Sequence, residues 1–196
     1  MRIRKVFVFC LTLSFGSVLA SGESGTVQIS QRAQALQDAF GIEISSDQST
    51  VRLGRSDFGV VQLTDYSFER KTLRERATEI REKFVFLDRD EEVVAYVQIE
   101  HTASVQRAQV QLLETLASNS LPLELLLDRY EIDGERMIGD LCVVEVSVGE
   151  GEGPSSRSSL YFLRGTSLVS IQAEGSEFPL FLAAKAVDEM LKAPSE

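Results

Sequence analysis

The chain contains one histidine, His101, in the stretch IEHTAS, and two cysteines, Cys10 and Cys142. An imidazole beside a thiol or a carboxylate is the minimal nucleophile–base pair. His101 and Cys142 are therefore the candidate catalytic residues. Such a site also needs an orienting residue and a set of oxyanion donors, and no local signature supplies either. Cys142 stands in GDLCVVEV, an alternating apolar run where a small buried side chain is expected. Zinc wants clustered His and Cys, which this chain does not offer. DRDEE places Asp88, Asp90 and Glu92 at alternate positions, as at the start of an EF-hand ligand set. The pattern then stops, because its sixth position is Val93 rather than Gly and its twelfth is Ile99 rather than Glu. A solvated hairpin turn is the expectation there, and no cofactor is expected.

Other fragments carry less. Asp57-Phe58-Gly59 spells a kinase-like triplet without the Gly-rich loop or the catalytic loop that would give it meaning. No G-x-S-x-G elbow, Walker loop or dinucleotide fingerprint occurs. Thirty acidic residues always allow some carboxylate pair of the glycosidase kind. The absence of tryptophan and the presence of only four tyrosines weaken a sugar-stacking reading.

The N-terminus sets the compartment. MRIRKVFVFCLTLSFGSVLA has Arg2, Arg4 and Lys5, then an apolar core, then Val18 and Ala20 at the positions a signal peptidase reads. Residues 1–20 are expected to be a cleaved signal peptide, and residues 21–196 a single exported domain. The apolar core is shorter than the roughly 20 residues of a spanning helix. Cleavage would remove three basic residues and no acidic ones, moving the formal charge from −10 to −13. That balance disfavours nucleic acid as a partner. Cys142 would be left without a disulfide mate, and Asn119-Ser120-Leu121 is no glycosylation sequon. Export without disulfides or glycans fits a bacterial periplasmic or secreted protein.

The elements that must position these residues can be read in outline. Ile29–Gly41 has a helical apolar face, with Ser30 as N-cap and Gly41 as stop. Thr50–Leu63 reads as a strand pair around Gly54-Arg55-Ser56-Asp57. Glu69–Lys83 reads as a charged helix, with Leu73, Ala77, Ile80 and Phe84 on one face. Phe84–Leu87 and Val93–Ile99 read as strands joined by the acidic turn, followed by a helix capped by Thr102 or Ser104 with Val105, Ala108, Leu112 and Leu116 as its stripe. Ser120–Ile132 reads as a short helix or packed apolar loop, Glu135–Val148 as a long strand, and Gly149–Ser159 as a Gly-rich loop. Leu160–Leu163 and Leu168–Ala173 form a second hairpin about Arg164–Ser167, with a helix over Phe178–Lys192. Two segments thus share the order strand–turn–strand–helix, which reads as a duplicated unit.

The expected fold is α+β: a mainly antiparallel sheet with helices packed largely on one face. The order of elements is loosely similar to small exported α/β/α domains. The expected role is an exported, non-enzymatic domain that binds a partner protein or a small ligand in the cell envelope. The alternative is a small periplasmic hydrolase using His101 with carboxylates or Cys142.

Overall fold

In the computed structural model, residues 28–47, 49–55, 63–145, 157–175 and 177–192 are described. Helix α1 (Gln31–Phe40) begins where the Ser30 hydroxyl accepts from the Ala33 backbone N–H, 3.2 Å away. It ends at Gly41, whose φ of 64° suits a residue without a Cβ. The signal-peptide reading falls on residues outside the described set. No helix among the described residues is long and apolar enough to cross a membrane.

Seven strands follow: β1 (Ser67–Arg76), β2 (Glu79–Leu87), β3 (Val93–Thr102), β4 (Tyr130–Ile132), β5 (Leu141–Glu145), β6 (Arg157–Arg164) and β7 (Ser167–Glu174). They make one antiparallel sheet in the order β1-β2-β3-β7-β6-β5-β4. Three further helices are α2 (Val105–Ala117), α3 (Leu123–Arg129) and α4 (Leu180–Lys192). The α+β architecture is as expected from the sequence.

The largest departure is Glu69–Lys83. It is not a helix but the body of the β1–β2 hairpin. Arg, Glu, Lys, Leu and Ala all favour helix intrinsically, yet tertiary pairing overrides that weak preference. Ile80, Glu82, Phe84 and Phe86 alternate onto one face of β2 and are all buried. Pairing on both sides of β2, with β1 and β3, fixes that register. A bulge between Arg70 and Thr72 lets Lys71 stand out of the ladder.

Smaller departures concern element ends. Residues 50–55 form no strand; the Val51 N–H instead donates to the Ala103 carbonyl at 2.8 Å. The rest of that expected pair lies outside the described residues until Leu63, which bridges to Tyr66. The long strand over Glu135–Val148 is only β5. Residues 133–140 form a loop with left-handed Met137 and Gly139, while 146–148 lie outside the described residues. Most of the Gly149–Ser159 loop also lies outside them, and Ser158 and Ser159 belong to β6. Ser104, not Thr102, caps α2, accepting from the Arg107 N–H. Of the α2 stripe, Ala108, Leu112 and Leu116 are buried, whereas Val105 is exposed.

Two cores flank the sheet. On one face α4 packs over Phe86, Val97, Ile99, Phe162 and Val169. On the other, α1, α2 and α3 bury Leu36, Leu112, Leu126 and Tyr161 together. Three of the four helices among the described residues therefore share one face. Both segments do fold as strand–turn–strand–helix: β2-β3-α2 and β6-β7-α4. Their hairpins meet at the antiparallel β3–β7 pair. A two-fold axis normal to the sheet would put both helices on the same face. Here they go to opposite faces, so the order of elements repeats without rotational symmetry.

Candidate functional site

The α4 face of the sheet carries a polar chain at one end. His101 is the last inward residue of β3, opposite Ile80 on β2 and Ser167 on β7. Its Nδ1 is 2.8 Å from the Ser167 hydroxyl and its Nε2 is 3.1 Å from Glu82 Oε2. Arg70 Nη2 on β1 lies 3.0 Å from the other Glu82 oxygen. The Glu82 side chain has no exposure, and His101 and Ser167 are buried beside it. An ionised Glu82 can only accept. In the neutral tautomer with its proton on Nε2, the imidazole donates to Glu82 and Nδ1 accepts from the Ser167 O–H. The order carboxylate–imidazole–hydroxyl is that of an activated serine.

What surrounds that chain works against nucleophilic chemistry. Ser167 lies within the sheet, paired to His101 on one side and to Arg164 on the other. A nucleophile needs donors aimed at the developing oxyanion. The nearby guanidinium of Arg164 is already engaged: Nε and Nη2 each lie 2.7 Å from the two oxygens of Asp188 on α4, and Nη1 lies 2.6 Å from Asp140. Burial alone would raise the Asp188 carboxyl. Hydrogen bonds from Arg164, the Gly139 backbone N–H and Lys192 overcome that and hold it below the usual carboxylate range.

Of the residues singled out from sequence, His101 is brought to a carboxylate, Glu82. It is not brought to Cys142. Strands β7 and β6 separate β3 from β5, a gap of roughly 14 Å at ordinary strand spacing. Burial pushes the Cys142 thiol up to about 12, with Asp133 adding to the effect. That is the opposite of thiolate activation. Asp88, Asp90 and Glu92 sit in the β2–β3 turn as expected. There Asp88 Oδ1 accepts from the backbone N–H groups of Asp90 and Glu92, both at 2.9 Å, so it shapes the turn. Among the described residues no three His, Cys, Asp or Glu side chains gather as a metal site.

Sequence reasoning missed Glu82 and Ser167. Glu82 sat in an apparent surface helix and Ser167 in a turn. The one signal available was alternation: Ile80, Glu82, Phe84 and Phe86 put a carboxylate in a strand-period apolar row.

A second feature lies on the opposite side of the same hairpin. Helix α2 packs on β3, β6 and β7, and β1 and β2 extend beyond them in the sheet. Thr72, Arg74 and Arg76 on β1, Lys83 on β2 and Tyr96 on β3 are exposed there. Arg74 faces Arg81 across the ladder, and Thr72 faces Lys83. Residues 67–87 hold six basic and four acidic side chains, while the rest of the chain holds fourteen and twenty-six. The hairpin is thus net positive on an acidic protein, and on this face Glu69 and Glu79 stand among the basic side chains.

No family model, no curated protein and no solved structure matches the chain.

Proposed function

We propose that the protein is an exported, non-enzymatic domain of the cell envelope that binds a partner protein or small ligand through the solvent side of β1–β3. One observation carries this reading. Exposed Arg74 on β1 and exposed Lys83 on β2 are diagonal neighbours across the β1–β2 ladder, on the part of the sheet that extends past α2. Arg74 and Lys83 form no ion pair among the described residues, whereas Arg76 lies 3.5 Å from Glu79, and Arg81 lies 3.2 Å from Glu100 and 3.6 Å from Glu79. Unmatched like charge on one patch is repulsive, and an opposite charge from a partner relieves it. The test is native mass spectrometry of the protein purified gently from its host's exported fraction. Added mass of another chain or a small molecule is expected. A bare chain mass would count against the reading.

The Glu82–His101–Ser167 chain favours a second reading, a small hydrolase with Ser167 as nucleophile, His101 as base and Glu82 as orienting carboxylate. Its support is the hydrogen-bonded order alone. A fluorophosphonate probe separates the two. Labelling of the wild type that is lost in Ser167→Ala would establish the hydrolase reading. An unlabelled Ser167 would leave the chain of bonds a structural one.

A further inference from the structure

We infer that Met137 is a modification site whose thioether is reversibly oxidised to the sulfoxide by hydroperoxides in the folded protein, a property separate from both readings above. Among the described residues, sulfur is carried by Met137, Cys142 and Met190. Met137 is 83% exposed. Cys142 on β5 is buried, and Met190 on α4 is half-buried against the core that α4 covers. Peroxide attack follows the exposure of a sulfur, and a thiol reacts through its thiolate. Burial holds the Cys142 thiol protonated, which removes it as a competing site.

The loop between β4 and β5 holds Met137 outward. Its φ of 52° is left-handed, a conformation that costs a residue with a Cβ. A side chain so exposed recovers little of that cost by packing, so the surroundings must fix the backbone. Asp133 Oδ1 accepts from the Glu135 and Arg136 backbone N–H groups at 3.0 and 3.3 Å, and Oδ2 lies 2.7 Å from Arg136 Nη1. The same guanidinium stacks 3.9 Å from the centre of the Phe181 ring on α4. Beyond Met137, the Asp140 N–H donates to the Leu163 carbonyl at 2.6 Å. None of these contacts uses the Met137 side chain. Making it polar leaves them in place, so the oxidised protein stays folded. In the forward step one peroxide oxygen passes to sulfur, the O–O bond breaks, and the other oxygen leaves as water or an alcohol. Sulfur loses an electron pair and the peroxide gains it. In the reverse step a thiol-dependent reductase removes the oxygen as water while a pair of thiols becomes a disulfide.

The experiment treats the purified protein with hydrogen peroxide, in buffer and in urea, and follows each sulfur by peptide mass mapping. In buffer, Met137 should gain one oxygen roughly tenfold or more faster than Met190. In urea the two rates should converge. Protein oxidised at Met137 should keep the melting temperature of the untreated protein. Methionine sulfoxide reductase with dithiothreitol should then remove the oxygen without denaturant. Equal rates for the two methionines in buffer, or a Met137 that stays unoxidised, overturn the inference. So does a sulfoxide that lowers the melting temperature, or one that the reductase does not reach in the folded protein.

Discussion

His101 stands directly across the β3–β7 ladder from Ser167, with its Nδ1 2.8 Å from that hydroxyl. The other ring nitrogen reaches Glu82, which has no exposure and is neutralised by Arg70. The imidazole is thus a buried bridge between two strands, with both nitrogens satisfied. Ser167→Ala should cost about 1 kcal/mol, one neutral hydrogen bond. Glu82→Ala should cost about 3–5 kcal/mol, because it strips a buried partner from both Arg70 and His101. Urea denaturation of the two variants checks the ranking. Equal costs would mean that Glu82 is not the anchor of the chain.

Cys142 should be inert in the folded protein. It is 2% exposed and its thiol is pushed up to about 12. Iodoacetamide at pH 8 should leave it unmodified in buffer and label it fully in denaturant. Fast labelling of the native protein would contradict the placement of β5.

Asp188 and Glu100 should pull stability in opposite directions with pH. The folded Asp188 carboxyl lies below its ordinary value. Its contribution is therefore present above the unfolded value, near pH 4, and is lost as pH falls through the lower folded value. Asp188→Asn should lower the melting temperature at pH 7, with the difference fading in strong acid. Burial raises the Glu100 carboxyl above 4.5 despite Arg81. Ionising it costs stability, and the cost grows as pH rises from the unfolded value through the folded one. Glu100→Gln should raise the melting temperature at pH 7, with no gain below about pH 4. Thermal melts across pH 3–8 read both.

The loop between β4 and β5 tests the backbone. A Cβ on Gly139 would sit 2.3 Å from the Leu163 carbonyl oxygen, and its φ is +68°. Gly139→Ala should destabilise by more than about 1 kcal/mol. Met137, 83% exposed, has a φ of 52°. Met137→Gly removes a left-handed non-glycine and should leave the melting temperature equal or higher. A loss there as large as at Gly139 would show that the Met137 side chain packs.

Much of the fold was legible because its signals are local. Ser30 and Gly41 bound α1, alternation marks β3, and Arg164–Ser167 closes the β6–β7 hairpin. The candidate site was legible only in His101. Glu82 reads as a solvent residue because intrinsic preference makes its neighbourhood helical, and its burial depends on Arg70 and His101 arriving from other strands. The face choice of α2 and α4 was equally hidden. Identical element orders lead to opposite faces, and only the packing of complete layers decides which.

On the proposed reading, the β1–β3 surface is the working part of the molecule. Its most direct test is parallel affinity capture from the host's exported fraction with the wild type and Arg74→Glu/Lys83→Glu, each shown to melt at the same temperature. A species held by the wild type and lost by the variant is the predicted result. A species held equally by both would contradict the claim and move the binding surface elsewhere.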